Sequence, residues 1–435
     1  MYRIVLEKLN KWKDKSDRLP LILLGARQVG KTWLLKEFGK KFFKDVCYVN
    51  FEQPSDLAQL FDGSINVERI LDYLSTIHGK KIEKQKTLII FDEVQEVPRA
   101  LTSLKYFAEE ASEYAICCAG SLLGITLHEG TSFPVGKVEF MTLQPFSFYE
   151  FLLANEEEQT IEFIKKYYKD GLPTTIVEKM NDYLKQYFIV GGMPKCVDAF
   201  IKSHDYQKVS NVQKNIIASY QNDFSKHAPK GIVPKIHHVW ESIPSQLAKE
   251  NKKFIYGVVR EGARAREYED ALMWLKDCSA VRRVGLVAGG RLPLKAYEDL
   301  KSFKIYHLDI GLLRMMCDID PSVIVSKEKL FMEFNGSLTE QFVLQELQSL
   351  DILNNINYWS EGSMSEVDFL FSYKNRVIPC EAKAGLNVQA KSLKVFMGKY
   401  KPEMAIRTSL KDYRNEDGLL NLPLYEIWLL PEMMS

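Results

Sequence analysis

Hydrophobic and polar positions alternate along this chain with two different periods, and the places where the period changes divide it. Residues 3–14 place apolar side chains at helical spacing, which predicts a short amphipathic helix. Unbroken apolar runs follow at 21–24, 46–51, 87–91 and 114–119, separated by helical patterns such as 33–38 and 67–77. Runs without alternation predict strands covered on both faces, as in a parallel sheet with helical crossovers. From 145 to 204 the period is helical, over 146–153, 161–168 and 176–188, and Gly191-Gly192-Met193-Pro194 stops the last of these.

Further amphipathic helices are predicted to begin at 205 and to cover 235–247 and 265–276. The runs 281–287 and 291–294 predict a hairpin around Ala288-Gly289-Gly290. Residues 303–308 read as a strand leading into a turn, with Asp309 structural. The tail predicts a helix at 334–350, strands at 356–359, 365–371 and 377–383, a helix at 389–399 and a last strand at 424–429.

The first strand runs directly into Gly25-Ala26-Arg27-Gln28-Val29-Gly30-Lys31-Thr32, and a helical pattern follows. This is G-x-x-x-x-G-K-[ST] in the strand-loop-helix context that the phosphate-loop motif requires. Glycines let the backbone turn its N–H groups and the helix N-terminus toward phosphates. Lys31 is expected to neutralise the β/γ-phosphates and the Thr32 hydroxyl to hold Mg²⁺. The chain therefore reads as a nucleoside triphosphate binder.

The run at 87–91 ends in Asp92-Glu93, the Walker B pattern. Asp92 is expected to hold Mg²⁺ and Glu93 to polarise the attacking water. The run at 114–119 ends at Gly120-Ser121, and Ser121 is the candidate sensor of the γ-phosphate.

Composition narrows the partners. The 435 residues suffice for two or three domains, and a formal net charge of +1 gives no global argument for nucleic acid or an anionic membrane. The seven cysteines are scattered without metal-ligand spacing, which fits a reducing cytoplasm, and no segment reaches transmembrane length. A cytoplasmic location without a membrane partner is expected.

The motifs GARQVGKT, IIFDEVQ, CCAGS, VGKVEFMTLQPFSFYEF and GGMP together resemble the AAA+-type P-loop ATPases of prokaryotes that carry a C-terminal nuclease-like module. The resemblance implies ATP as the nucleotide. It implies an α/β P-loop NTPase (AAA+-like) core with a helical lid over 1–204, a winged-helix middle over 205–325 and a restriction-endonuclease-like domain over 326–435. Where that family carries Gly-Arg, this chain has Gly136-Lys137, so a charge without a planar fork stands at that place. Arg99 and Lys137 are the candidates for a finger residue. In the middle region Arg260, Arg264, Arg266, Arg282 and Arg283 suit phosphate contacts on duplex DNA, with Glu261, Glu267, Glu269 and Asp270 interleaved.

In the tail, Asp368, Glu381 and Lys383 form Asp-x(12)-Glu-x-Lys across two predicted strands. Glu381 and Lys383 share a strand face, and hairpin pairing is able to place Asp368 beside them. The spacing and the element order resemble the PD-(D/E)XK nuclease fold. That resemblance implies Mg²⁺ on Asp368 and Glu381, a water-positioning Lys383 and a supporting Glu340. The expected function is a Mg²⁺-dependent ATP-hydrolysing switch acting on DNA. The alternatives are an ATP-regulated metal-dependent DNA nuclease and a nucleotide-sensing adaptor for a protein partner.

Overall fold

The computed structural model describes residues 1–52, 56–120, 134–249, 251–325, 331–353, 355–362, 365–385 and 390–434. The chain divides into two compact units. One comprises Met1–Gln144 with Asp277–Ala280, and the other Pro145–Lys276 with Val281–Ser435.

In the first unit, β1 (Leu21–Leu24), β2 (Asp45–Asn50), β3 (Thr87–Asp92), β4 (Ala115–Ala119) and β5 (Glu139–Thr142) form one sheet in the order β2-β3-β4-β1-β5. Every pairing is parallel. The apolar runs explain this: β3 and β4 are buried along their whole length, so both faces are covered. The edge strand β5 instead alternates half-buried and exposed positions. Because the strands are parallel, their C-terminal ends share one edge, and Asp92 pairs in register with Asn50 and Ala119 there. Phe51, Phe61 and Phe91 pack edge to face beside that edge, with ring centroids 5.4–6.1 Å apart. Each such pair contributes about 0.5–1.5 kcal/mol beyond area burial, which stiffens the ground on which Asp92 stands. The predicted first helix is Val5–Lys13, anchored by the buried Trp12, whose indole N–H donates to Leu19 O at 2.9 Å.

In the second unit, β6 (Val281–Val287), β7 (Glu298–His307), β8 (Asn357–Glu361), β9 (Ser365–Tyr373), β10 (Arg376–Ala382), β11 (Ala405–Ser409), β12 (Arg414–Glu416) and β13 (Leu419–Pro423) form a mixed sheet. Its order is β12-β13-β11-β10-β9-β8-β6-β7. The predicted hairpin of the tail is β9 and β10. Lys374 and Asn375 turn it with φ of 44° and 61°, the doubly left-handed turn that suits strand twist.

Several expectations are corrected here. The run 291–294 is not the second strand of a hairpin. Pro293 has no N–H to give a ladder, Leu294–Tyr297 forms a 3₁₀ turn, and the buried run of β7 pairs with β6 instead. β6 also pairs in parallel with β8, so the strands expected in a separate wing belong to the sheet of the tail. The run 424–429 is not the last strand. Leu424–Leu429 is a 3₁₀ helix buried on nearly all sides, and Leu419–Pro423 supplies the strand. After β7 comes the helix Ile310–Met316 rather than a turn, and its N-cap is Asp309.

The helices expected to form a lid, Phe148–Ala154, Glu158–Tyr167 and Thr174–Val190, lie in the second unit. There Phe148, Tyr187 and Phe188 pack on Phe342 of the helix Phe331–Ser349. Gly191 has φ 71°, and a Cβ on Gly192 would sit 2.2 Å from Phe146 O. The Gly192 N–H donates to Asp309 Oδ2 at 2.6 Å, so the Gly-Gly stop is clamped by that buried carboxyl. No helix among the described residues is long and apolar enough to cross a membrane. All seven cysteines are free thiols.

Candidate functional site

The loop between β1 and the helix Lys31–Phe42 has a backbone that its sequence permits. Gly25 has φ 143°, and a Cβ there would meet Leu143 O at 2.4 Å; Gly30 has φ 94° and stands at the helix N-cap. No side chain caps this twelve-residue helix, so its first N–H groups and positive dipole end are left to face an anion. Ala26 and Val29 are buried under the loop, while Arg27 and Gln28 are half-buried, Gln28 at φ 63°.

Lys31 is buried, and its Nζ donates to Gly25 O at 2.8 Å and Ala26 O at 2.9 Å. Burial pushes its ammonium down to about 8, against the opposing pull of Glu93 and Asp92. Thr32 Oγ1 donates to Asp92 Oδ2 at 2.8 Å. The two residues expected to share Mg²⁺ are thus brought together by the fold. Two hard oxygens at the end of a phosphate loop suit that ion, and Thr32 and Asp92 would hold it. Bound there, Mg²⁺ would neutralise charge on phosphate oxygens.

Glu93 follows Asp92 at φ 50°, a left-handed turn that ends the strand. Gln95 Nε2 donates to Glu93 Oε2 at 2.7 Å. Ser121 lies outside the described residues. Arg99 donates through Nε to Phe61 O at 2.6 Å and also bonds Gly63 O, and Lys137 pairs with Glu109 at 3.0 Å.

One participant escapes the motif reading. Tyr48 on β2 donates its hydroxyl to Asp92 Oδ2 at 2.9 Å, and the Lys36 ammonium stands 3.4 Å from its ring centroid. Strand register places it there: Tyr48 pairs with Ile90, two residues before Asp92 and on the same side of the parallel sheet.

In the second unit the fold also gathers Asp368, Glu381, Lys383 and Glu340. Lys383 Nζ pairs with Glu381 Oε1 at 2.7 Å, and the Ala382 N–H donates to Asp368 Oδ2 at 2.8 Å. Glu381 is 5% exposed, and its Oε2 is buried without a hydrogen-bond partner. An orphaned carboxylate oxygen next to a second carboxylate fits a hard cation, and Asp368 and Glu381 would hold it. Among the described residues no group of three or more His, Cys, Asp or Glu is arranged to bind a metal. Glu340 is engaged by other partners. It bonds Lys252 through Oε1, accepts from the Tyr306 hydroxyl at 2.9 Å through Oε2, and has Lys304 Nζ at 3.9 Å. Burial would raise its pKa, but Lys252 and Lys304 outweigh that and hold it low. Burial and the charges of Glu340 and Glu381 drive the Asp368 carboxyl far up.

The arginines of the middle region divide. Arg260, Arg264 and Arg266 are exposed, whereas Arg283 pairs with Glu298 at 3.2 Å and stacks over Phe303.

The AAA domain family model matches residues 17–152. Two families described as domains of unknown function, DUF8612 and DUF4143, match residues 181–323 and 335–427. No curated relative matches the chain. Among solved structures, the chain is similar to a Walker-type ATPase of Pyrococcus abyssi at 16% identity and TM-score 0.42, over 72% of this chain and 94% of that one. It is similar to the Aeropyrum pernix ORC1 protein in complex with DNA at 12% identity and TM-score 0.28, over 74% and 92%. It is also similar to Cdc6p of Pyrobaculum aerophilum at 14% identity and TM-score 0.26, over 74% and 93%. The AAA domain match covers the phosphate loop, Thr32 and Asp92, and with the parallel sheet it marks the first unit as a P-loop NTPase core.

Proposed function

We propose that this protein is a Mg²⁺-dependent ATP-hydrolysing switch whose core drives a second unit that acts on DNA. The observation that carries the reading is the convergence of Lys31, Thr32 and Asp92 at one sheet edge beside an uncapped helix N-terminus. Lys31 and the loop N–H groups bind and orient the phosphates. Thr32 and Asp92 hold the metal, and Glu93 takes the proton of the attacking water. Ser121 serves as the sensor. ATP binding favours one arrangement of the chain and hydrolysis releases it.

Duplex DNA is the proposed partner of the exposed Arg260, Arg264 and Arg266. The deciding experiment is steady-state phosphate release from ATP and Mg²⁺, with and without duplex DNA, using Lys31→Ala as the blank. DNA stimulation that fades as salt is raised supports the reading. A rate equal to that of Lys31→Ala ends the ATPase reading, and a true rate indifferent to DNA ends the DNA part and favours a protein partner.

A second reading, metal-dependent DNA cleavage by the tail, is supported by Asp368, Glu381 and Lys383 standing within hydrogen-bond reach of one strand end. There Lys383 would position the water. Survival of plasmid and linear DNA in Mg²⁺ or Mn²⁺ with ATP, or undiminished cutting by Lys383→Ala, removes it.

A further inference from the structure

The carboxylates of the second unit meet lysines that the tail motif does not contain. Glu340, Glu366, Asp368 and Glu381 face Lys252, Lys304 and Lys383, so four carboxylates are answered by three ammonium groups. Lys304 is fully buried on β7 and pairs with Glu366 at 2.5 Å. Lys252 differs from it. It lies in the connection between the helix Val233–Leu247 and the short helix Tyr256–Val259, with φ 48°, and its side chain reaches Glu340. Lys252, Lys304 and Tyr306 come from the segment matched by one family, and the carboxylates from the segment matched by the other.

Formal charge then sets a choice. With all four carboxylates ionised, as cation ligands must be, the cluster carries one net negative charge with Lys252 in place, and a divalent ion would overshoot. With Lys252 withdrawn the deficit is two charges, which one divalent ion cancels. Glu381 Oε2, buried and unpartnered, marks where a cation would find an oxygen already desolvated. We propose that Lys252 is an internal counter-ion standing in for a divalent cation, and that withdrawing it opens Glu340, Asp368 and Glu381 to one such ion. The proposal rests on reading Asp368 and Glu381 as a cation site, and not on DNA cleavage.

The test is Mn²⁺ titration of the full chain without nucleotide, followed by the electron paramagnetic resonance of free Mn²⁺. Wild type is compared with Lys252→Met, Lys252→Gln and Lys252→Met/Asp368→Asn. The expected result is Mn²⁺ binding at least tenfold tighter in Lys252→Met than in wild type, with the gain abolished by Asp368→Asn. Equal affinity in wild type and Lys252→Met overturns the proposal, as does a gain that survives Asp368→Asn. If circular dichroism shows Lys252→Met unfolded, Lys252→Gln, which keeps an N–H toward Glu340, is judged by the same two outcomes. Any Mn²⁺ at Asp92 is common to all variants and cancels from the comparison. Failure to cut DNA leaves the titration unaffected, so the two readings fail separately.

Discussion

Thr32 Oγ1 donates to Asp92 Oδ2 at 2.8 Å although the two residues are sixty apart in the chain. One opens the helix after β1 and the other ends β3, and β4 lies between those strands. Parallel pairing brings both to one edge, which is where open α/β sheets bind ligands. The bond joins the two groups proposed to hold a phosphate-bound metal.

Glu93→Gln keeps the size and the left-handed turn but removes the proposed base. ATP binding should persist while turnover falls by about 10²- to 10⁴-fold, the usual weight of a general base. Binding by a fluorescent ATP analogue and phosphate release, measured on the same preparation, check both halves. Unchanged turnover would exclude Glu93 from the assignment.

Burial sets the Lys31 ammonium near 8, so its charge is lost in the free protein as pH rises through that value. Bound phosphates favour the charged form and draw the proton back. Affinity for the triphosphate should therefore fall above pH 8, by at most about tenfold per unit. The same lysine destabilises the free fold when charged, and that penalty is present below about 8 and gone above its unfolded value. Binding isotherms from pH 7 to 9.5, with Lys31→Ala as the flat reference, test this.

Tyr48→Phe removes one hydroxyl and keeps the ring under Lys36. A hydrogen bond to a charged group contributes about 1.5 kcal/mol or more, so the Mg²⁺ concentration for half-maximal turnover should rise about tenfold. Nucleotide binding in EDTA should stay unchanged. A lowered metal-free affinity with an unchanged Mg²⁺ requirement would mean that Tyr48 serves only the packing.

Glu346 accepts the Phe148 N–H at 2.8 Å and is otherwise sealed, and burial pushes its carboxyl up to about 8. A carboxyl raised in the folded state holds its proton where the unfolded chain has lost it. Its contribution is full below about 4.5 and is lost as pH climbs to 8. Glu346→Gln should raise the Tm at pH 8 by several degrees and change it little at pH 4.5. Thermal melts at the two pH values decide.

Gly192→Ala would press a methyl into Phe146 O and strain the turn that Asp309 clamps. A loss of about 1–3 kcal/mol is expected. Denaturant unfolding of the variant measures it, and wild-type stability would show that the clamp yields.

The sequence by itself determined the parallel core. Runs such as Thr87–Asp92 are apolar without alternation, and only burial on both faces suits them; a glycine-bearing loop between strand and helix leaves little choice of chemistry. The tail hairpin was legible for the same reason, since two apolar runs flank a short polar turn, where Lys374 and Asn375 set the register. Tertiary structure alone decided which strand claims which partner. The run 291–294 and β7 both compete for β6, and the winner is the longer buried run without a proline. It also decided that Tyr48 reaches Asp92, and that Lys252 and Lys304 meet Glu340. Those contacts join residues whose separation along the chain carries no periodic signal, and only close packing brings them within a hydrogen bond.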